Sequence, residues 1–176
     1  GFTGQLATHY IDKNYPSLKW GIAGRNKSKL NEIANNCSNK PDVLYAESTD
    51  EQSLNNVTSS TQVLLSFAGP FNKYSNLMVK SCFNNNTHYI DITGENIWVR
   101  DLIDEFHEDA VKKRIKIIPS CGYDSIPSDI GTYYSCREVG SPIKSIDCYQ
   151  SGQGGISGGT IESGFSMMEY KTKNKI

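Results

Sequence analysis

The chain has 176 residues, of which 37% are hydrophobic and 21% are charged, and its formal net charge is −1. This size suits one globular domain with the beginning of another. The nearly neutral charge argues against a protein that binds the phosphate backbone of nucleic acids, and no apolar run approaches the ~18 residues of a membrane span.

The first four residues, Gly1-Phe-Thr-Gly4, resemble the second half of a glycine-rich turn. Such a turn joins the first strand of a nucleotide-binding βαβ unit to its helix. Residues 5–15 follow as a predicted helix with one apolar face. We therefore expect a chain that begins just after its first strand and lacks the first loop glycine. Two glycines three residues apart are also common in ordinary turns.

Short apolar segments then alternate with amphipathic segments. The predicted strands span residues 18–23, 42–46, 62–67, 87–92 and 115–119. The predicted helices span residues 27–36, 50–57, 73–84 and 98–113. This alternation predicts an α/β fold, a Rossmann-like doubly wound parallel sheet with helices on both faces. In the strand order 3-2-1-4-5-6 the first strand is central, so we expect a gap in the sheet.

The character of the chain changes after residue 138. Residues 143–151 have a strand-like pattern, and a glycine-rich segment follows over residues 152–160. We expect residues 1–138 to form the dinucleotide-binding domain, truncated at its N-terminus. Residues 139–176 are then the beginning of a truncated C-terminal α/β domain for substrate binding or dimerisation.

The five cysteines are scattered along the chain and form no C-x-x-C pair. This pattern favours a reduced intracellular protein with free thiols over a disulfide framework. The three histidines lie far from any paired cysteine, so we expect no metal site.

Arg25 follows the predicted strand at residues 18–23. In a dinucleotide-binding fold, an acidic residue at this strand end would bond a free ribose 2′-hydroxyl and favour NAD. Arg25 instead offers a planar fork for a 2′-phosphate, which predicts NADP, and Lys27 is expected to assist. The alternative is a surface charge at the start of a helix.

Small residues, Ala68 and Gly69, follow the predicted strand at residues 62–67. Ligands bind at the carboxyl ends of strands in open α/β sheets, and small residues let a cofactor approach the backbone there. The alternative is a tight turn before the next helix, and both interpretations can hold together.

Polar side chains follow the next two predicted strands. Asp91 and Glu95 come at the end of one, and Tyr123 and Asp124 come after the other. Because these ends meet at the same edge of the sheet, we expect the four side chains to line a site. Helix capping is the rival interpretation for Asp124, Ser125 and Ser128.

These segments, in this order, resemble the saccharopine dehydrogenase-like oxidoreductases, a group that includes the trans-acting enoyl reductases. The most specific stretch is Cys-Gly-Tyr-Asp-Ser-Ile-Pro-Ser-Asp at residues 121–129. The other matching stretches are residues 1–4, 23–25, 68–71, 89–95 and 157–161. The resemblance implies a Rossmann domain that binds NADP and a C-terminal α/β domain that covers the cofactor.

The resemblance also implies positions for the cofactor. The pyrophosphate is expected beside Gly1, Phe2, Thr3 and Gly4. The adenosine phosphate is expected at Arg25, and the ribose and nicotinamide near Ala68 and Gly69.

Our leading hypothesis is an NADP-dependent oxidoreductase that transfers a hydride to or from a small-molecule or lipid-like substrate. The candidate catalytic residues are Tyr123 and Asp124. A second hypothesis is a non-catalytic NADP-binding scaffold associated with a lipid droplet or membrane. A short-chain-type reductase is rejected, because its Tyr-x-x-x-Lys pattern occurs only at Tyr15 to Lys19, contains a proline and lies away from the required edge.

The resemblance extends to relatives linked to lipid droplets and mitochondria. The expected location is therefore intracellular, in the cytoplasm, the mitochondrion or on lipid droplets. The expected partners are the substrate, a peripheral membrane or lipid-droplet surface, and a second copy bound through the C-terminal domain, with no nucleic acid. Residues 1–176 by themselves are expected to be inactive.

Overall fold

A computed structural model describes residues 1–155 and 158–174 of the chain. Ser157, which opens the last stretch of the family resemblance, lies outside the described residues, as does Ile156 in the glycine-rich segment. The described elements, in chain order, are α1 (Phe2–Asn14), β1 (Gly21–Gly24), α2 (Lys27–Asn35), β2 (Asp42–Tyr45), α3 (Glu51–Thr58), β3 (Val63–Ser66), α4 (Phe71–Tyr74), α5 (Asn76–Asn84), β4 (His88–Asp91), α6 (Asn96–Lys113), β5 (Ile117–Ile118), α7 (Ile126–Val139) and α8 (Gly158–Asn174).

All described strand pairs are parallel, and they form two separate sheets. β1 pairs with β2, while β3, β4 and β5 form a three-stranded sheet in that order. The α/β fold with parallel strands is therefore confirmed. Among the described residues β1 does not pair with β3, so the two sheets are separated by an interruption between these strands. The doubly wound order places its first strand at this position.

Helix α1 contacts elements on both sides of this interruption. Near its start, Gly4 lies beside Phe67, which follows β3. A methyl group placed on the Gly4 Cα would be 3.8 Å from Phe67 Cδ2. Near its end, Asp12 accepts hydrogen bonds from Ser38 N at 2.9 Å and Asn39 N at 3.1 Å, after α2. These two backbone donors lower the pKa of Asp12 from its ordinary value. The helix therefore connects the β1–β2 sheet to the β3–β4–β5 sheet.

The main hydrophobic core lies on the three-stranded sheet. Helix α6 contributes Trp98, Leu102 and Phe106, which recur every four residues and so share one face of the helix. The indole nitrogen of Trp98 donates to Asn76 Oδ1 at 2.7 Å, which satisfies the polar end of a buried side chain. The remaining buried members are Leu54, Phe71, Met78, Val79, Cys82 and Tyr89.

Several predicted boundaries differ from the structure. The strand predicted over residues 143–151 is wrong, because these residues are exposed and without regular structure; no neighbouring strand satisfies their backbone groups in the described part of the chain. The single helix predicted over residues 73–84 is interrupted at Ser75, which separates α4 from α5. Helix α7 was not predicted, and it begins beside Pro127, which suits a first-turn position. Helix α8 begins inside the predicted glycine-rich segment.

Candidate cofactor-binding site

The first four residues form the beginning of α1 rather than a turn ahead of it. Gly1 is the N-cap, and Gln5 N donates to Gly1 O at 3.1 Å to close a first turn that contains Phe2, Thr3 and Gly4. The predicted start of this helix at residue 5 is therefore wrong, because a glycine N-cap lets the helix begin directly after it. No side chain caps this end, so its first N–H groups remain available to an anion.

The start of α1 and the carboxyl end of β3 are neighbours. The approach of Phe67 to Gly4 is an ordinary van der Waals contact even for an added methyl group, while nothing lies within 4 Å of one added at Gly1. Ala68, one residue beyond Phe67, is exposed. The structure thus brings two of the predicted cofactor-binding segments, residues 1–4 and 68–69, to the same edge of the sheet.

Arg25 lies at the carboxyl end of β1, as predicted. Its side chain is 76% exposed, and its Nε is 3.7 Å from Oε2 of Glu47, which follows β2. This distance is a loose charge contact rather than a hydrogen bond, and exposed ion pairs of this kind stabilise a protein by at most about 1 kcal/mol. The guanidinium is therefore accessible to a ligand.

The segment after β3 is packed more closely than predicted. Gly69 is half-buried and precedes Pro70 through a cis peptide bond. A methyl group added at Gly69 would lie 3.2 Å from Phe71 Cε2 and 3.5 Å from Ser163 Oγ on α8. The approach to Phe71 is tight, whereas the approach to Ser163 is an ordinary van der Waals contact, so Gly69 packs closely in the turn before α4. This matches the tight turn that was the alternative interpretation of the segment.

Asp91 is a buried structural group rather than a side chain that lines a site. Its Oδ1 accepts from Thr93 N at 2.9 Å and Ser120 N at 3.0 Å, and its Oδ2 accepts from Tyr89 Oη at 2.9 Å. Burial raises the pKa of this carboxyl above its ordinary value, although the two backbone donors act in the opposite direction. Asp91 therefore holds the ends of β4 and β5 together.

Glu95 is also buried, with 1% of its surface exposed. Its two oxygens accept from Phe71 N at 2.9 Å and Asn72 N at 2.8 Å, at the start of α4. The expectation that Asp91 and Glu95 line the site is therefore wrong for both side chains, because each is satisfied by donors inside the protein.

Tyr123 and Asp124 lie after β5, at the predicted edge. Tyr123 is 87% exposed. The carboxylate of Asp124 lies between Gly122 and Gly94. A methyl group placed on the Cα of Gly122 would be 2.8 Å from Asp124 Oδ1, and one placed on the Cα of Gly94 would be 3.5 Å from Oδ2. Among the three capping candidates, Ser125 is the N-cap of α7, without a hydrogen bond from its side chain, so the capping alternative is wrong for Asp124 and Ser128. The arrangement leaves both predicted catalytic side chains open to solvent.

The donor groups at this edge suit the phosphates of a dinucleotide. Uncapped backbone N–H groups at the start of α1 can bind a pyrophosphate, and the exposed guanidinium of Arg25 can bind a further phosphate. Within residues 1–155 and 158–174, no group of three or more His, Cys, Asp or Glu side chains is arranged to hold a metal ion. None of the helices described there is both long enough and apolar enough to cross a membrane.

Sequence reasoning missed two parts of the site. Glu47 was not considered, although the rule that carboxyl ends of parallel strands share an edge would have placed it beside Arg25. The approach of α8 was also missed. Ser166 on α8 is buried and donates to Asn72 Oδ1 at 2.8 Å, and no local pattern links residues 94 positions apart.

The sequence profile of the saccharopine dehydrogenase NADP binding domain matches residues 1–118 of the chain. The "Lipid droplet localized protein" of Caenorhabditis elegans is 28% identical over 93% of this chain and 41% of its own length. The "Saccharopine dehydrogenase-like oxidoreductase" of Bos taurus is 28% identical over 93% of this chain and 42% of its own length. The "Trans-acting enoyl reductase" of Mycobacterium leprae is 30% identical over 79% of this chain and 34% of its own length.

Among solved structures, the apo saccharopine dehydrogenase (L-Glu forming) of Saccharomyces cerevisiae superimposes with a TM-score of 0.66. It is 19% identical and covers 80% of this chain but 29% of its own, so the likeness is one of fold. The chain thus spans less than half the length of the curated relatives that it matches.

Proposed function

Because the chain belongs to the saccharopine dehydrogenase NADP-binding domain family, we propose that it forms the cofactor-binding part of an NADP-dependent oxidoreductase. NADP is the cofactor of this family. The single observation that carries the proposal is the exposed guanidinium of Arg25 at the carboxyl end of β1. A guanidinium at this position matches a 2′-phosphate, whereas the acidic residue typical of NAD-binding domains would match a free 2′-hydroxyl.

In this proposal each segment of the site has a separate role. The uncapped start of α1, from Gly1 to Gly4, binds the pyrophosphate through backbone N–H groups. Arg25 binds the 2′-phosphate through its planar fork. Ala68 and Gly69 border the ribose and nicotinamide, where close packing of Gly69 against Phe71 keeps the backbone in place. When bound, the nicotinamide of NADP would give or accept the hydride, and these segments would orient it.

The substrate class, the location and the assembly are further proposals. A relative named for its lipid-droplet location supports a lipid-like substrate and an intracellular site of action at lipid droplets. The contacts of α8 with α4 support a C-terminal domain that begins after residue 138 and packs over the cofactor edge. That domain would also provide the surface for a homodimer.

A non-catalytic scaffold is the second candidate. The observation that favours it is the exposure of Tyr123 and Asp124, which the described residues do not arrange into an enclosed acid–base pair. An enzyme that transfers protons usually holds such groups where water is excluded. NADPH binding without turnover of a series of enals, imines and ketones by the intact protein would support the scaffold.

The cofactor preference tests the proposed function directly. We expect the intact protein to bind NADPH more tightly than NADH. Replacing Arg25 by Ala should weaken NADPH binding by about 1–3 kcal/mol and leave NADH binding nearly unchanged, because a charge-assisted contact is lost. Isothermal titration of both cofactors against both proteins measures this difference.

A matched control for the charge change is Lys116→Ala. Lys116 is exposed and precedes the amino end of β5, whereas Arg25 follows the carboxyl end of β1 in the other sheet. This variant should bind both cofactors as the unmodified protein does. Equal affinity of the unmodified protein for NADPH and NADH would contradict the proposal.

A further inference from the structure

We propose that Glu47 is a positioning residue, which holds the Arg25 guanidinium in the orientation that binds the 2′-phosphate of NADP. This inference rests on the proposed function, because it requires Arg25 to contact that phosphate. Glu47 itself does not touch the cofactor in this proposal. It acts through Arg25 and so contributes to the discrimination between NADP and NAD.

The pairing of β1 with β2 brings the two side chains together. Gly24 and Tyr45 are the last partners in the parallel register, and Ala46 N donates to Gly24 O at 3.2 Å. Arg25 is the first residue after β1, and Glu47 is the second residue after β2. Their proximity is therefore set by the backbone ladder and not only by two flexible side chains.

Glu47 is held in place by its own neighbours. Its Oε1 accepts from Ser48 N at 2.9 Å and from Ser48 Oγ at 3.1 Å, while its backbone N donates to Ser53 Oγ at 3.0 Å. Its side chain is only 23% exposed, compared with 76% for Arg25. The carboxylate is thus the enclosed, hydrogen-bonded partner of the pair, and the guanidinium is the exposed partner.

The contact with Glu47 leaves the two terminal Nη atoms of Arg25 free to bind a phosphate. Glu47 Oε2 lies 3.7 Å from Nε, so the contact is on the Nε side of the guanidinium and not at its terminal Nη atoms. Those two terminal nitrogens form the fork that binds phosphate oxygens in a bidentate manner. An arginine that is already oriented loses less side-chain entropy when it binds, which increases affinity.

The negative charge of Glu47 also repels a phosphate, and the two effects have opposite signs. Ser48 donates two hydrogen bonds to the other carboxylate oxygen, which disperses part of its charge. A phosphate bound at the exposed guanidinium of Arg25 is itself in contact with solvent, so solvent and salt further weaken its repulsion by Glu47. The oriented guanidinium of Arg25 contacts the phosphate directly, so we expect the gain from its orientation to exceed the repulsion by Glu47.

No other cation competes for this carboxylate in the described part of the chain. Among the described side chains, those of residues 1–155 and 158–170, Arg25 is the one basic side chain within salt-bridge distance of Glu47. Lys27, the basic residue nearest to Arg25 in sequence, has its Nζ over the Tyr45 ring, 5.9 Å from the ring centroid. The pair therefore acts as an isolated unit that mutation can separate.

The test compares two fragments of the cofactor, 2′,5′-ADP and 5′-AMP, which differ in the 2′-phosphate. Their dissociation constants are measured by titration calorimetry for the intact protein, Glu47→Gln, Arg25→Ala and the double variant. We expect Glu47→Gln to weaken 2′,5′-ADP binding about two- to fivefold, the upper part of the range typical of exposed ion pairs, and to leave 5′-AMP binding unchanged. In the Arg25→Ala background, Glu47→Gln should cause no further loss of 2′,5′-ADP binding.

The control is Glu51→Gln, which removes the same charge at an exposed position on the first turn of α3. It should change neither ligand. Tighter 2′,5′-ADP binding by Glu47→Gln would show that Glu47 only repels the phosphate, and equal weakening of both ligands would show a role in local folding; either result overturns the inference. The dissociation constant of 5′-AMP divided by that of 2′,5′-ADP measures the preference for the 2′-phosphate. If Arg25→Ala leaves this ratio unchanged, the proposed role of Arg25 fails. If Arg25→Ala lowers this ratio and Glu47→Gln does not, only the inference about Glu47 fails.

Discussion

At the scale of the residue, burial divides the cysteines into different chemical classes. All five are free thiols. Cys82 lies fully inside the main core, and burial raises the pKa of its thiol to about 12. Cys37 is buried near α2, and burial together with the negative charge of Asp12 raises its pKa as well. Cys148 is exposed.

These differences predict which cysteines react first with a thiol reagent. At about pH 8 we expect Cys148 to react first and Cys82 to react only after unfolding, because the thiolate is the nucleophile and must be reached by the reagent. Mass spectrometry of the native protein, labelled for increasing times, identifies the modified residues. Cys148→Ser should remove the fast phase, and labelling of native Cys82 as quickly as Cys148 would contradict the prediction.

At the scale of the element, α4 is held from outside its own sequence. It is a four-residue helix, too short to be stable by itself. Glu95, at the N-cap of α6, accepts from its first two N–H groups, and Ser166 of α8 donates to Asn72 within it. Lys73 and Glu169 add an exposed ion pair at 3.2 Å. The segment that carries Ala68 and Gly69 therefore depends on contacts with both α6 and α8.

Replacing Glu95 by Gln should destabilise the protein by about 1–3 kcal/mol, because the amide nitrogen cannot accept and one buried N–H of α4 loses its partner. Urea denaturation followed by tryptophan fluorescence measures the change in the free energy of unfolding. Glu105→Gln is the control, since Glu105 is exposed on the same helix. An unchanged midpoint for Glu95→Gln would mean that these two hydrogen bonds contribute little.

At the scale of the whole molecule, the interruption between β1 and β3 leaves apolar surface exposed. Val63 and Leu65 of β3 are 46% and 42% exposed, and Leu6 on α1 is 53% exposed. Neither β1 nor β3 pairs with a strand on the side of the interruption within the described residues. Exposed strand edges of this kind promote association between chains.

Residues 1–176, produced by themselves, should therefore associate at micromolar concentrations. Joining a five-residue Val/Ile-rich segment ahead of Gly1 should reduce association and raise the free energy of unfolding by about 2–3 kcal/mol, because apolar burial exceeds the cost of ordering the segment. A Gly/Ser segment of equal length is the control. Light scattering and urea denaturation compare the two, and equal behaviour would show that the interruption does not accept a strand.

Local patterns along the chain were sufficient to predict the five parallel strands, the NADP-binding family and the position of Arg25 at a strand end. Each depends on periodicity or on the order of short motifs, which neighbouring residues set by themselves. Only the tertiary structure decided three other features. These are the inward directions of the Asp91 and Glu95 side chains, the approach of Glu47 to Arg25 and the packing of α8 on α4. These features join residues that are distant in sequence, and the donors that satisfy a buried group become known only when the chain is packed.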